Sequence, residues 1–434
     1  MDGLLKSGEF LKSESGNDYL VMDFLGAGGQ GEVYSVTKGT SKYALKWYFK
    51  HMATKEQKEI IENLVKEGAP DDTFLWPQDM IVQSSDSFGY IMPLRPSEYK
   101  SIVDIMKRRA EPTFDALSKA AYNLTLGYRK LHVMGYSYRD ISFGNLFINP
   151  KTGDVLICDN DNVAANLSPT TVYGTPRFMA PEIVVGKDKP SRNTDLFSLA
   201  VLLFYMFMLN HPLEGALEAK IKCMDIPAMS QLYGTKPLFI FDENDKSNFP
   251  LKGYQDNALT YWELYPQKLK DLFKRSFTIG LREPARRVTE NEWLDAFANL
   301  MTGIVKCGSC GVEVFFDEDK ASAGEAHTCW HCKKVVSIPL ILHIGKNNVL
   351  LNAGARLFSH DLNKDYDMET VVGSLIQNPN NPNLWGIRNE SNENWTYIKA
   401  DGTQIPVSPG RSATIAKDSK INFGQLVGTF EKLG

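Results

Sequence analysis

Four of the six cysteines stand in two pairs, Cys307-Gly-Ser-Cys310 and Cys329-Trp-His-Cys332, with 18 residues between the pairs. Two Cys-x-x-Cys knuckles at that separation offer four thiolates to one tetrahedron, the ligand set of a closed, structural Zn²⁺ site. Gly308 and Gly311 suit tight turns that aim backbone N–H groups at the sulfurs. His327 and His331 are near enough in sequence to act as ligands instead, and a redox dithiol is the rival chemistry. A second constellation lies near the amino terminus. Gly26, Gly28 and Gly31 make a G-x-G-x-x-G within Leu25-Gly-Ala-Gly-Gly-Gln-Gly-Glu-Val-Tyr34, a spacing that brings backbone close to phosphate oxygens with no Cβ in the way. A dinucleotide fold would need a helix next, its amino terminus holding the pyrophosphate. Instead Glu32-Val-Tyr-Ser-Val36 follows, rich in β-formers, and then Lys46 within Tyr43-Ala-Leu-Lys-Trp-Tyr-Phe49. A glycine loop between two strands with a lysine in a third leaves two readings open here: a cradle for nucleotide phosphates with Lys46 supplying the charge, or a glycine turn beside a surface lysine.

Further along, Leu131-His-Val-Met-Gly-Tyr-Ser-Tyr-Arg-Asp-Ile-Ser-Phe-Gly-Asn145 sets Asp140 and Asn145 apart by five positions. Strand-like Leu146-Phe-Ile148 and Val155-Leu-Ile157 follow, and then Cys158-Asp159. From about Asp18 to Met301 the chain resembles a eukaryotic-type Ser/Thr protein kinase, with Tyr138 where the H-R-D-L-x-x-x-N signature has histidine. The resemblance implies roles in the same order. Asp140 accepts the proton of the substrate hydroxyl, Lys46 contacts the α and β phosphates of ATP, and Asn145 and Asp159 are Mg²⁺ ligands. Val33, Ala44, Met92 and Leu94 would line the nucleotide pocket with the three loop glycines. The hinge would follow Tyr90-Ile-Met92. Gly174-Thr-Pro-Arg-Phe-Met-Ala-Pro-Glu182 resembles the end of an activation loop, Asp195 the aspartate that braces the catalytic loop, and Arg287 the arginine that pairs with Glu182. Thr175 matches the threonine typical of Ser/Thr-directed kinases. Arg139 beside Asp140 implies control by phosphorylation of the activation loop, with Ser168, Thr170, Thr171 and Tyr173 as acceptors.

Three positions depart from the family pattern. Ser142 replaces the catalytic-loop lysine, Asp159-Asn-Asp161 replaces D-F-G, and the helix carboxylate that should pair with Lys46 is ambiguous within Glu59-Ile-Ile-Glu-Asn-Leu-Val-Lys-Glu67. Glu62 fits best by distance from Lys46, and Glu59 lies a turn away. Asp161 would add a carboxylate near the metal, and Asp161→Gly, restoring the family residue, would leave activity intact. A nucleotide-binding pseudokinase is the alternative reading. Phosphorylation of a small molecule is disfavoured, since the Gly174–Glu182 segment shapes a peptide platform in the family.

The cysteine segment resembles a zinc ribbon. The tail, with Asn389-Glu-Ser-Asn-Glu-Asn-Trp-Thr-Tyr-Ile398, Asp401-Gly402 and Ile421-Asn-Phe-Gly424, resembles the second half of a forkhead-associated β-sandwich, without that family's phosphothreonine-reading residues. The order kinase, zinc ribbon, forkhead-associated-like tail is similar to that of bacterial kinases encoded beside a protein phosphatase, which makes a cognate phosphatase an expected partner. The other expected partner is a protein substrate with a Ser/Thr acceptor.

The elements that must hold these groups follow from pattern. The 434 residues exceed one domain. We expect an α+β architecture: a bilobal protein kinase fold with an N-lobe at 1–95 and a C-lobe at 96–302, a zinc ribbon at 303–337, and an all-β sandwich at 338–434. Short strands with turn signals such as Pro379-Asn-Asn-Pro382 and Pro409-Gly410 carry the last assignment. Lys plus Arg is 48 against 52 Asp plus Glu, a net charge of −4, which gives no support to nucleic-acid binding. The longest apolar run, Leu196 to Leu209, suits a buried helix and is too short for a bilayer. The amino terminus lacks the apolar core of a secretory signal, and the cysteine pattern favours a reducing compartment. Both point to the cytoplasm.

Overall fold

The computed structural model describes residues 3–168, 172–338, 340–345, 347–352 and 354–431; Thr170 and Thr171 lie outside them. The chain divides into two compact units. One comprises Met1–Pro112, Asn123–Gln255 and Lys274–Glu290, the other Thr113–Tyr122, Asp256–Phe273 and Asn291–Gly434.

The first unit opens with strands β1 (Phe10–Lys12), β2 (Asp18–Ala27), β3 (Gly31–Lys38), β4 (Ser41–Tyr48), β5 (Asp79–Ser84) and β6 (Ser87–Pro93). They form one antiparallel sheet in the order β1-β2-β3-β4-β6-β5. Side chains alternate across a strand, so β4 sends Leu45 and Trp47 into the core with Tyr34, Val36, Ile81 and Ile91. Lys46 and Tyr48 therefore point to the opposite face, where they too are buried. Helix α1 (Lys55–Glu67) is started by Thr54, whose hydroxyl accepts from Gln57 N, and stopped by Gly68 at φ 78°. Its buried residues are Ile61 and Leu64. Downstream, the strands Leu146–Ile148 and Val155–Ile157 pair antiparallel. The apolar run seen in the sequence forms helix Arg192–Met208, buried from Thr194 to Met208 and opened by a capping box between Ser191 and Thr194.

In the second unit, Ile304–Lys306 pairs with Glu313–Phe315, and the turn between them carries the first cysteine knuckle. Val305, Val314, Phe316 and Val336 share a small core with Ile341 and Leu350. Two antiparallel sheets follow. One runs Asn347–Leu350, Ile341–Ile344, Val427–Glu431, Lys420–Asn422, Trp395–Ile398, Gln404–Val407; the other runs Arg356–Phe358, Val371–Asn378, Asn381–Asn389, Ser412–Thr414. Leu342, Ile421 and Phe430 of the first meet Leu357, Val372 and Ile387 of the second in one core. Among the described residues, no helix is long and apolar enough to cross a membrane.

Candidate active site

Lys46 ends in a cage of oxygens. Its Nζ lies 2.7 Å from Asp161 Oδ2, 2.8 Å from Gln30 Oε1 and 3.5 Å from Asp159 Oδ1. Burial works against the ammonium, but the carboxylates of Asp161 and Asp159 more than offset it, so its pKa stands above the ordinary lysine value. Burial raises the Asp159 carboxyl above its usual range, with Asp161 adding to the rise and Lys46 opposing it. Tyr48 Oη donates to Asp161 Oδ2. Gln57 Nε2 reaches down from α1 to Tyr48 Oη at 3.2 Å and to the Asp161 carbonyl at 3.0 Å.

The partner of Lys46 expected on α1 is corrected by these distances. Glu62 lies 3.4 Å from Lys58 and Glu59 3.7 Å from Lys55, while the acidic neighbours of Lys46 are Asp161 and Asp159. The reason is helical phase. Gln57, Ile61 and Leu64 stand at i, i+4 and i+7 on the inward face, and Glu62 is turned about 100° from Ile61. That spacing is the sequence signal that places Gln57, and not the glutamates, on the inward face. Gln30 and Tyr138 stand inside the glycine and catalytic-loop motifs, but those motifs assign them no contact, and Tyr48 lies just outside any motif.

The loop glycines do two jobs. A Cβ on Gly26 or Gly28 would meet no atom within 4 Å, so that side of the β2–β3 turn faces open space. At Gly31 a Cβ would collide with the Trp47 carbonyl, so glycine there serves strand packing. The loop tip bends inward through Gln30, whose Nε2 donates to Asn162 Oδ1 at 3.1 Å. Val33 is the register partner of Lys46, and Ala44 that of Met92. Leu94, with Pro93, Phe74, Trp76 and Tyr99, lines a cavity of about 580 Å³.

The catalytic-loop candidates converge next to this cage. Asn145 Nδ2 donates to the Asp140 carbonyl at 3.0 Å, and Thr175 Oγ1 donates to Asp140 Oδ1 at 2.8 Å. Asp195, buried in the first turn of its helix, accepts backbone N–H bonds from Tyr138 at 2.6 Å and Arg139 at 3.0 Å. Tyr138 Oη donates to the Cys158 carbonyl, tying the catalytic loop to the segment that carries Asp159. Arg287 forms a two-pronged pair with Glu182 at 2.7 and 2.8 Å.

A family model for the protein kinase domain matches residues 19–296. The chain belongs to the protein kinase domain family. Among curated proteins it is 30% identical over 200 residues to a probable serine/threonine-protein kinase of Zea mays, covering 44% of this chain and 31% of that one. It is 30% identical over 215 residues to protein kinase C-like 1 of Candida albicans, covering 46% of this chain and 19% of that protein. A cell cycle serine/threonine-protein kinase of Saccharomyces cerevisiae is 27% identical over 242 residues, 52% of this chain and 33% of its own length. The chain thus spans a third or less of each of these relatives.

Within the kinase domain, Arg139 adopts a left-handed backbone at φ 73°. Its Nη2 donates to the Ala165 carbonyl at 3.1 Å, the Ser168 carbonyl at 3.2 Å and Ser168 Oγ at 2.5 Å. Ser168 is therefore the described acceptor candidate already on this guanidinium.

Outside the family match, the sulfurs of Cys307, Cys310, Cys329 and Cys332 all lie within 4.8 Å of one another. Cys307 and Cys332 are 3.6 Å apart, as are Cys310 and Cys329. A tetrahedron of about 2.3 Å metal–sulfur bonds has edges of about 3.8 Å, so the cluster fits a zinc ion and is too open for disulfides. Backbone N–H groups of Ser309 and Cys310 bring the Cys307 thiol down to about 6, which favours the ligating thiolate. The histidines are otherwise engaged or outside the cluster: His327 Nε2 is buried against the Asp317 backbone.

Proposed function

We propose that the chain is an ATP- and Mg²⁺-dependent protein kinase that phosphorylates Ser or Thr of protein substrates. The observation that carries this reading is the convergence of Lys46, Asp159, Asn145, Asp140 and Thr175 beneath an open glycine turn. Asn145 spends its amide nitrogen on Asp140, leaving an oxygen that, with the Asp159 carboxylate, suits a hard cation. Mg²⁺ held there would neutralise phosphate charge. Lys46 would orient the phosphates, and Asp140 would orient the acceptor hydroxyl and take its proton. The Ser/Thr kinase names of the relatives support the same substrate class. The reading includes loop autophosphorylation, zinc in the cysteine tetrahedron, and a division at 95, 302 and 337. It also includes a forkhead-associated-like tail and a reducing, cytoplasmic setting that keeps the thiols available. Incubating the full chain with radiolabelled ATP, Mg²⁺ and a mixed protein substrate tests it: transfer to Ser/Thr is expected, abolished by Asp140→Asn.

The second reading, a nucleotide-binding pseudokinase, is favoured by one observation. Ser142 stands where the family carries a lysine and supplies no charge. ATP-dependent thermal stabilisation without any phosphate transfer would establish it.

A further inference from the structure

We propose that Asp161 is the positioning residue for Lys46, performing from the metal-binding segment the task that a helix carboxylate performs in the family pattern. The proposal rests on the kinase reading, in which Lys46 orients nucleotide phosphates. Three observations carry it. Asp161 is the nearest acid to Lys46, at 2.7 Å, and its side chain is fully buried. Glu59 and Glu62 instead pair along their own helix, Glu59 with Lys55 and Glu62 with Lys58. And α1 meets the site through a neutral amide, Gln57, bonded to the Asp161 carbonyl and to Tyr48.

The turn that carries Asp161 is fixed independently. Asp159 takes a left-handed conformation at φ 53° and opens the short helical turn Asn160–Asn162. Asn160, in the slot where the family has phenylalanine, is fully buried, and its Nδ2 donates to the carbonyls of Leu75 at 2.9 Å and Ile157 at 3.1 Å. Tyr48 adds a hydrogen bond to the same Asp161 oxygen that faces Lys46. A buried lysine needs a compensating charge held in a defined place, and here that charge moves with Asp159. In the family pattern, swinging the helix away breaks the lysine pair. In this chain the pair is set by the Asp159–Asp161 turn, and α1 can contribute only the Gln57 hydrogen bonds. This reverses the sequence-based expectation that Asp161→Gly is harmless.

The test uses the full chain with five variants: Asp161→Asn, Asp161→Gly, Gln57→Glu, the Asp161→Gly/Gln57→Glu double variant, and Glu62→Gln. Thermal melts check folding, calorimetric titration gives the Kd for Mg²⁺–ATP, and steady-state assays separate kcat from KM for ATP. Asp161→Asn and Asp161→Gly should each lower kcat by about 10²-fold, the scale of removing one preorganised electrostatic group. Glu62→Gln should stay within about two-fold of the parent, consistent with an exposed surface pair. Gln57→Glu alone should be impaired, since it faces Asp161 and loses the amide donor. In the Asp161→Gly background it should recover at least about ten-fold of the lost rate, because a carboxylate is then returned from the helix side. A structural role alone would give no such rescue. If Asp161→Gly fails to fold, the near-isosteric Asp161→Asn decides. Parental kcat in folded Asp161→Asn overturns the proposal. If the parent transfers no phosphate, the kinase reading fails separately, and the nucleotide Kd decides here. A rise of at least about five-fold in both Asp161→Asn and Asp161→Gly, the latter reversed in the double variant, supports positioning, and an unchanged Kd in folded Asp161→Asn refutes it.

Discussion

Thr175 Oγ1 donates a hydrogen bond to Asp140 Oδ1 at 2.8 Å, across 35 residues of sequence. The contact fixes one oxygen of the proposed base from the activation-loop side, while Asn145 holds its backbone carbonyl at 3.0 Å from the catalytic-loop side. An aspartate held through both its carboxylate and its backbone is preorganised to receive a hydroxyl.

The first prediction concerns these groups. Asp140→Asn should reduce phosphate transfer by about 10²–10⁴-fold, the range of general-base contributions. Thr175→Val, which removes the hydroxyl and keeps the shape, should cost about five-fold, since one hydrogen bond is worth roughly 1 kcal/mol. Ser142→Ala should cost no more than that. Single-turnover rates at saturating ATP compare the three, and a Ser142→Ala defect exceeding that of Asp140→Asn would reverse the assigned roles.

Stability should fall on the alkaline side because of a buried triad. His132 lies between Glu290 at 2.5 Å and Asp195 at 3.1 Å, and Arg192 reaches the second Glu290 oxygen at 2.7 Å. Burial opposes charging His132, yet hydrogen bonds to Asp195 and Glu290 raise its pKa from 6.5 to about 9. Its stabilisation is therefore complete below about pH 6.5 and is lost as pH rises through about 9. At about 1.4 kcal/mol per unit the loss amounts to roughly 3–4 kcal/mol at most. Urea melts at pH 6.5, 8 and 9.5 should show the decline, and Glu290→Gln should shallow it. A slope unchanged by Glu290→Gln would remove this triad as its source.

Metal loss should be felt at the starts of two helices, Phe114–Val133 and Gln267–Phe277. Glu313 Oε2, three residues after Cys310, accepts from Phe114 N at 2.6 Å and Asp115 N at 3.2 Å. Asp317 Oδ2 accepts from Gln267 N at 3.2 Å. Carboxylates at these amino termini satisfy otherwise orphaned N–H groups. Purified protein should hold about one zinc per chain by elemental analysis. Cys332→Ser should raise amide exchange at 113–116 and 266–268 as well as around the knuckles. Glu313→Gln should destabilise by about 1 kcal/mol and leave zinc content unchanged. Zinc-free protein with parental exchange rates would break the link.

Arg139 sits ready for an anion on the activation loop. It already contacts Ser168 Oγ at 2.5 Å, and phosphate adds charge and acceptor oxygens that a guanidinium binds well. Mass spectrometry after incubation with ATP should find phosphate between 160 and 175, on Ser168 or on the expected Thr170 or Thr171. Arg139→Gln should remove at least most of the activation that this phosphate confers. Activation unaffected by Arg139→Gln, or phosphate confined to other segments, would discard the idea.

The parts whose chemistry is written in local order were legible in the residues alone. Ordered motifs from Gly26 to Arg287 resembled a kinase closely enough to anticipate the Glu182–Arg287 pair and the bracing of the catalytic loop by Asp195. Two knuckles of fixed spacing announced a four-thiolate cluster, and turn signals announced a β-rich tail. Which acid lies beside Lys46 depended on how distant segments fold together. Residue spacing brings Glu59 and Glu62 into a plausible window, but helical phase turns them to solvent and presents Gln57, while a turn 115 residues away delivers Asp161 to the lysine. The same holds for Tyr138, which hydrogen-bonds the Cys158 carbonyl from the family's histidine position, and for Gln30, which folds inward from the glycine turn. Such contacts arise from the meeting of distant segments, and no local periodicity encodes them.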